Sequence, residues 1–173
     1  GMSLEDIQAL YAYLMAQPAA SRQNRAHELS WPYSSRSLLP HWKSGNFTPG
    51  PYTPDPGKSA RWNRGAYLAN VLGHCGECHT PRDRFGGPKT GAWLAGAPEP
   101  AGEGKVPNIT PHESALGGWS ARDIAYYLET GFTPDFDTVG GSMVEVQENL
   151  ARLSDADRAA IAAYLKAVTP VAP

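Results

Sequence analysis

The residues with most chemistry to offer sit together as Cys75-Gly76-Glu77-Cys78-His79, and the 173-residue chain has no other cysteine. Two thiols three positions apart at a helix start can each add to one vinyl group of the same haem. The adjacent histidine then falls beneath the iron as its proximal ligand. On this reading Cys75 and Cys78 are thioether anchors and His79 Nε2 binds iron, with Gly76 leaving room for the porphyrin edge. Other uses of the pattern are weaker. A disulfide framework needs bridges across distant chain. A thioredoxin-like pair needs βαβ surroundings, which the pattern lacks. A structural zinc site needs a second pair at ligand spacing, which His27, His41, His74 and His112 do not supply.

An iron that shuttles electrons without binding substrate needs a sixth ligand, and a neutral thioether favours Fe(II). Of three methionines, Met2 is at the chain start and Met15 lies in the first helix. Met143 follows Gly140-Gly141-Ser142, a stretch that reads as flexible loop, and is the preferred ligand. A methionine is more often core filler, but this one falls where packing demands are low; the rival ligand is His112, which would give a bis-histidine haem.

The elements that must position these groups read as short helices. From Ser59, Tyr67, Leu68, Val71 and Leu72 recur at helical spacing and lead into Cys75. Residues 80 to 118 read as loop. A helix follows Ser120, with a capping box at Asp123, an apolar side of Ile124, Tyr127 and Leu128, and a stop at Gly131. Residues 132 to 153 read mainly as loop, with a helical turn at 144–150, and a last helix runs from Ser154 to about Val168. No segment alternates as a strand, so the expected fold class is all-α. Abundant glycine (18) and proline (16) fit short helices joined by loops.

An internal repeat stands out. Ser3 to Ala16 aligns without gaps on Ser154 to Ala167 at an offset of 151, with seven of fourteen positions identical. Both copies open on a capping pattern, and Leu10, Tyr13 and Leu14 match Ile161, Tyr164 and Leu165. Two amphipathic helices can look alike by composition alone. The sharper reading makes residues 1–18 an orphan helix, the tail of a preceding domain of the same kind. Residues 19–58 form a connector whose six prolines between Trp31 and Gly57 exclude a long helix. Its aromatic residues suggest ordered, extended chain lying along the domain surface. Residues 59–173 form the mono-haem domain.

Charge and composition narrow the function. Fifteen basic against seventeen acidic residues give a net charge of −2, with no basic excess for nucleic acid. No apolar run reaches the length of a membrane span. The Gly1-Met2 start looks like the scar of a cleaved tag, so the missing signal peptide says little about location.

With these residues in place, 60–173 resembles a class I cytochrome c domain. More narrowly, nearly the whole chain is similar to the multihaem cytochrome c subunits of bacterial membrane-associated alcohol, gluconate and sugar dehydrogenases. The carriers of the likeness are Trp62 to Leu68, Gly73-His74-Cys75, Cys78 to Arg82, Pro107-Asn108-Ile109-Thr110-Pro111, Gly117-Gly118-Trp119-Ser120 and the ending from Leu153 to Leu165. The single motif gives one covalent haem c, and the resemblance implies Ile109 and Trp119 against it, Trp119, Asn108 and Arg82 near its propionates, and Leu94 as the core leucine beside His79. Gly65 and Tyr67 would lie where the first domain helix crosses the last, near Tyr164 and Leu165. Pro88 is the candidate carbonyl for His79 Nδ1–H.

The resemblance further implies an electron carrier and not an enzyme. It would take electrons from a quinoprotein or flavoprotein dehydrogenase subunit or a neighbouring haem domain, and pass them to quinone or a terminal oxidase. Its implied place is the bacterial periplasm, with membrane association through segments outside this sequence. The opposing reading is a peroxidase-like haem enzyme with an open or bis-histidine iron, and a third is a chain that never received its haem. Relatives of this type carry two or three haems where this chain has one motif, which the repeat explains as a C-terminal piece or a shortened homologue.

Overall fold

The structure, a computed structural model, describes residues 1–99 and 104–172. The loop expected through 100–103 lies outside the described residues. The chain divides into two compact units, Gly1–Tyr52 and Thr53–Pro173.

The first unit opens on α1, Leu4–Met15. Ser3 caps it, its Oγ accepting from Asp6 N–H at 3.1 Å while its hydroxyl donates to Asp6 Oδ2 at 2.8 Å. None of α1 is buried. A 3-10 turn at Arg36–Leu38 then runs into α2, Leu39–Asn46. The expected extended connector therefore contains a helix. Pro40 sits in its first turn, where a missing N–H costs no hydrogen bond, so a proline read as a breaker is a helix starter.

The second unit begins earlier than residue 59. The Asn63 side chain accepts from Asp55 N–H at 2.7 Å and donates to Asp55 C=O at 2.8 Å, tying the preceding turn onto the next helix. That helix, α3 (Ala60–Tyr67), starts on Ser59, whose Oγ accepts from Trp62 N–H. The expected straight helical stripe stops at Leu68. Leu68–Leu72 is a π turn closed by Gly73 N–H to Leu68 C=O at 2.7 Å, and it shifts the phase so that Ala69 is buried while Val71 and Leu72 are only partly so. His74 takes a left-handed φ of 50°, and α4 (Cys75–His79) follows.

The described residues of 80–118 are loop, as read, apart from a two-residue antiparallel pair, β1 (Ala97–Pro98) with β2 (Lys105–Val106), and 3-10 turns at Thr90–Ala92 and Leu116–Gly118. α5 (Ala121–Thr130) has the full Ser120/Asp123 capping box and ends on Gly131 at φ 77°. α6 covers Met143–Leu150 and α7 covers Asp155–Leu165. The second unit is thus predominantly helical, as expected, with short helices joined by loops.

The core forms where α7 crosses α3 and α5. A Cβ on Gly65 would meet Ala160 C=O at 1.9 Å and Tyr164 Cβ at 2.9 Å, so only glycine permits that crossing. Trp62 packs edge-on against Tyr164 with ring centroids 5.3 Å apart. Arg158 is buried, and its guanidinium donates to the Ala151 and Leu153 carbonyls at the end of α6 and pairs with Asp155. Carbonyls left over at a helix end and a buried cation thereby satisfy each other.

Candidate haem site

Three local devices aim His79 at the interior. The π turn and the left-handed His74 set the direction in which α4 leaves α3. Gly96 N–H donates to His79 C=O at 2.7 Å and fixes the backbone from the far side. The ring Nδ1 lies 2.8 Å from Pro107 C=O. A carbonyl can only accept, so Nδ1 carries the hydrogen and Nε2 keeps its lone pair. The orienting carbonyl is therefore that of Pro107 and not Pro88. Pro88 instead forms an isolated bridge with Arg82 that closes the turn between them. Burial pushes the imidazole pKa below its ordinary value, and the Pro107 bond offsets this in part, so the ring is neutral as a ligand must be.

His79, Cys75 and Met143 line one cavity, together with Asn108, Ile109 and Trp119. Its remaining wall is chiefly apolar, including Leu68 from the π turn, Tyr127 and Leu128 from α5, and Ile161 and Leu165 from α7. Met143 is the first residue of α6 and not part of a flexible loop, although Gly140 and Gly141 do precede it. His112 is absent from the cavity wall, and its Nδ1 hydrogen-bonds Ser114 Oγ at 2.8 Å.

The other expected contacts divide. Ile109 and Trp119 lie on the wall, and Trp119 meets Tyr127 edge-on at 5.7 Å. Asn108 also lines the cavity, but its amide joins chain segments, accepting from Thr110 N–H and donating to Val171 C=O, both at 2.8 Å. Arg82 does not line it. Its guanidinium donates to Gly86 C=O at 2.9 Å and pairs with the Glu77 carboxylate. Leu94 is fully buried but stands off the wall. Its N–H donates to Thr80 Oγ1, and its C=O accepts from Ile109 N–H, both at 3.0 Å.

Gly76 answers to a different neighbour than expected. Its missing Cβ would fall 2.2 Å from Trp93 Cη2, so the glycine makes room for an indole of this chain. Cys78 is exposed, whereas Cys75 is largely covered, and burial pushes the Cys75 thiol up to about 11.

Sequence reasoning missed Thr133 and Leu150 on the wall and the buried Gln147 of α6. Leu150 has a signal in the α6 pattern, while a threonine in a loop has none. Gln147 Nε2 donates to Leu128 C=O at 3.3 Å and Glu129 C=O at 3.0 Å, fastening α6 to the end of α5.

The site fits haem by its donor set: a neutral imidazole of fixed tautomer, a thioether, a thiol and a chiefly apolar wall. The cytochrome c family model matches residues 62–169, and the chain belongs to the cytochrome c family, whose members bind haem c covalently and transfer electrons. It is 46% identical over 168 residues to a diheme cytochrome c-type protein of Cereibacter sphaeroides, covering 96% of this chain and 55% of that one. It is 40% identical to the fructose dehydrogenase cytochrome subunit of Gluconobacter japonicus, covering 95% of this chain and 34% of the relative. With the alcohol dehydrogenase (quinone) cytochrome c subunit of Gluconacetobacter polyoxogenes the identity is 37%, over 99% and 38% of the two chains. The chain therefore spans about half or less of the length of these relatives. All three are named as cytochromes or cytochrome subunits, which favours the carrier over a peroxidase-like enzyme.

Proposed function

We infer that this chain is one His/Met haem station of a longer electron-transfer subunit. Cys75 and Cys78 would anchor a single haem c through thioether bonds, and His79 and Met143 would hold its iron. The bound haem supplies one-electron exchange between Fe(II) and Fe(III). The protein's part is to keep His79 Nε2 directed inward through Pro107, to offer the Met143 thioether from the start of α6, and to exclude water with the walls of α5 and α7. The single observation that carries this reading is that His79 and Met143, from opposite ends of the domain sequence, line the same cavity while His112 does not.

The electron donor is a quinoprotein or flavoprotein dehydrogenase subunit or an adjoining haem domain, and the acceptor is quinone or a terminal oxidase. The setting is the periplasmic face of the cytoplasmic membrane. Support comes from the names of relatives over whose length this chain extends only in part, and from the repeat of α7 in α1. On this reading α1 is the last helix of a preceding haem domain, for which the repeat is the support.

A pyridine haemochrome assay should return one haem per chain. The ferric protein should be low-spin with a sulfur-to-iron charge-transfer band, and Met143→Ala should abolish that band. A native high-spin, five-coordinate ferric spectrum overturns the reading.

A further inference from the structure

The turn joining α5 to α6 is built to hold an aromatic ring outward. Val139 N–H donates to Gly131 C=O at 2.8 Å, Thr133 N–H to Asp137 C=O at 2.9 Å, and Phe136 N–H to Thr133 C=O at 3.1 Å. A bridge between Phe132 and Thr138 completes the closure. Phe136 at the tip is 88% exposed and has a φ of 63°, a left-handed conformation uncommon for a bulky residue. Strained backbone presenting an exposed ring is a reason to look for a binding role. Phe136, Phe132 and Tyr126 wall a surface cleft with Asp123, Thr133 and Pro134. Thr133 also lines the haem cavity, so cleft and cavity share a residue.

Charge around the cleft is mainly negative: Asp123 lines it, and Asp135 and Asp137 flank Phe136 in the turn. Residues 121–142 contain one cation, Arg122, against Asp123, Glu129, Asp135 and Asp137. Glu129 faces Arg158 at 3.6 Å, while the three aspartates enter no ion pair among the described residues. The Ser120 hydroxyl and N–H hold the Asp123 carboxyl below the usual range, so it is ionised. A second turn gives the contrast. Phe85 lies among Arg82, Arg84 and Lys89, and the Arg84 guanidinium covers its ring at 4.6 Å. Among the described residues no cation of this chain covers Tyr126, Phe132 or Phe136.

We propose that this acidic aromatic cleft is the docking site of a one-electron redox partner protein, which seats a lysine or arginine of a basic surface against the three rings. The proposal rests on the carrier reading. Cation–π contact and ion pairing at a small patch suit a transient electron-transfer encounter, in which charge steers approach and a few apolar groups set the register. One electron leaves the haem iron as Fe(II) becomes Fe(III), the partner centre gains it, and no covalent bond changes.

The test uses the reduced holoprotein and two oxidants in stopped flow: tris(1,10-phenanthroline)cobalt(III), an aromatic trication, and ferricyanide, a trianion. In the Phe136→Ser, Asp135→Asn, Asp137→Asn variant the cobalt-to-ferricyanide rate ratio should fall about tenfold, while Phe85→Ser should not lower it. Independently of electron transfer, hexaamminechromium(III) should broaden the NMR ring signals of Tyr126, Phe132 and Phe136, and hexacyanochromate(III) should not. A haem-bearing protein whose ratio is unmoved, or whose rings are broadened equally by both chromium ions, overturns the docking proposal alone. A chain lacking haem overturns the carrier reading and this proposal with it.

Discussion

A methyl group added at Gly76 would lie 2.2 Å from Trp93 Cη2 and 2.6 Å from Cζ2. The indole cannot retreat freely, because its N–H reaches Tyr164 Oη at 3.4 Å and that hydroxyl is bonded to Asn70. Gly76→Ala should therefore destabilise the folded protein by about 2 kcal/mol in denaturant unfolding. A double-mutant cycle with Trp93→Leu should return a favourable coupling of about 1 kcal/mol, since the smaller side chain removes the clash. Cys75, Cys78 and His79 read as haem chemistry in the sequence because their spacing is itself the signal. The reason for Gly76 was not legible there, because Trp93 approaches from a loop whose path no local pattern announces. Pro107 was hidden for the same reason: an orienting carbonyl can come from any residue type.

At the level of elements, α3 and α7 are joined by packing and by one pair of charges. Arg64 Nε donates to Asp157 Oδ1 at 2.7 Å, and Arg64 Nη2 to Oδ2 at 3.0 Å. The Arg64 guanidinium holds the Asp157 carboxyl below the usual carboxylate range. A folded-state pKa below the unfolded value of about 4 means the stabilisation is present above that pH and disappears as pH falls through the folded value. Both side chains are partly exposed, so Asp157→Asn should cost only about 0.5 to 1 kcal/mol at pH 7. Unfolding titrations of the two proteins should draw together as pH falls from about 4 through the lowered folded-state value, as the linkage requires. The helices of this unit were readable from caps and apolar spacing, above all α5 with its Ser120, Asp123 and Gly131. The π turn at Leu68–Leu72 was not, because its single extra residue leaves an apolar pattern that still reads as regular helix.

For the whole molecule, the repeat supplies an internal comparison between one helix with a packed face and one without. Ile161, Tyr164 and Leu165 of α7 are 3%, 5% and 5% exposed, whereas Leu10, Tyr13 and Leu14 of α1 are 45%, 63% and 57% exposed. The caps are alike, Ser154 Oγ accepting from Asp157 N–H as Ser3 Oγ accepts from Asp6 N–H. Sequence thus determined the helix in both copies but not what it packs against, since a stripe of leucine and tyrosine states a need and not its partner. Ile161→Ala should cost about 2 to 5 kcal/mol by thermal or denaturant unfolding. Leu10→Ala should stay within about 0.5 kcal/mol in this chain, with no cavity to open. Asn63 reaches back to Asp55, a contact that composition does not encode.

The grip of Gln147 on the last carbonyls of α5 bears on how the haem would meet competitors. If Met143 is the sixth ligand, its sulfur is delivered by a helix start held about one turn away, so breaking the iron–sulfur bond frees the thioether only to wait nearby. Its effective concentration at the metal is then high, and cyanide or imidazole must outcompete a tethered group. Gln147→Leu keeps the bulk and cuts the tether, and the ferric protein should then bind imidazole several-fold more tightly in a spectroscopic titration, as the loss of preorganisation implies.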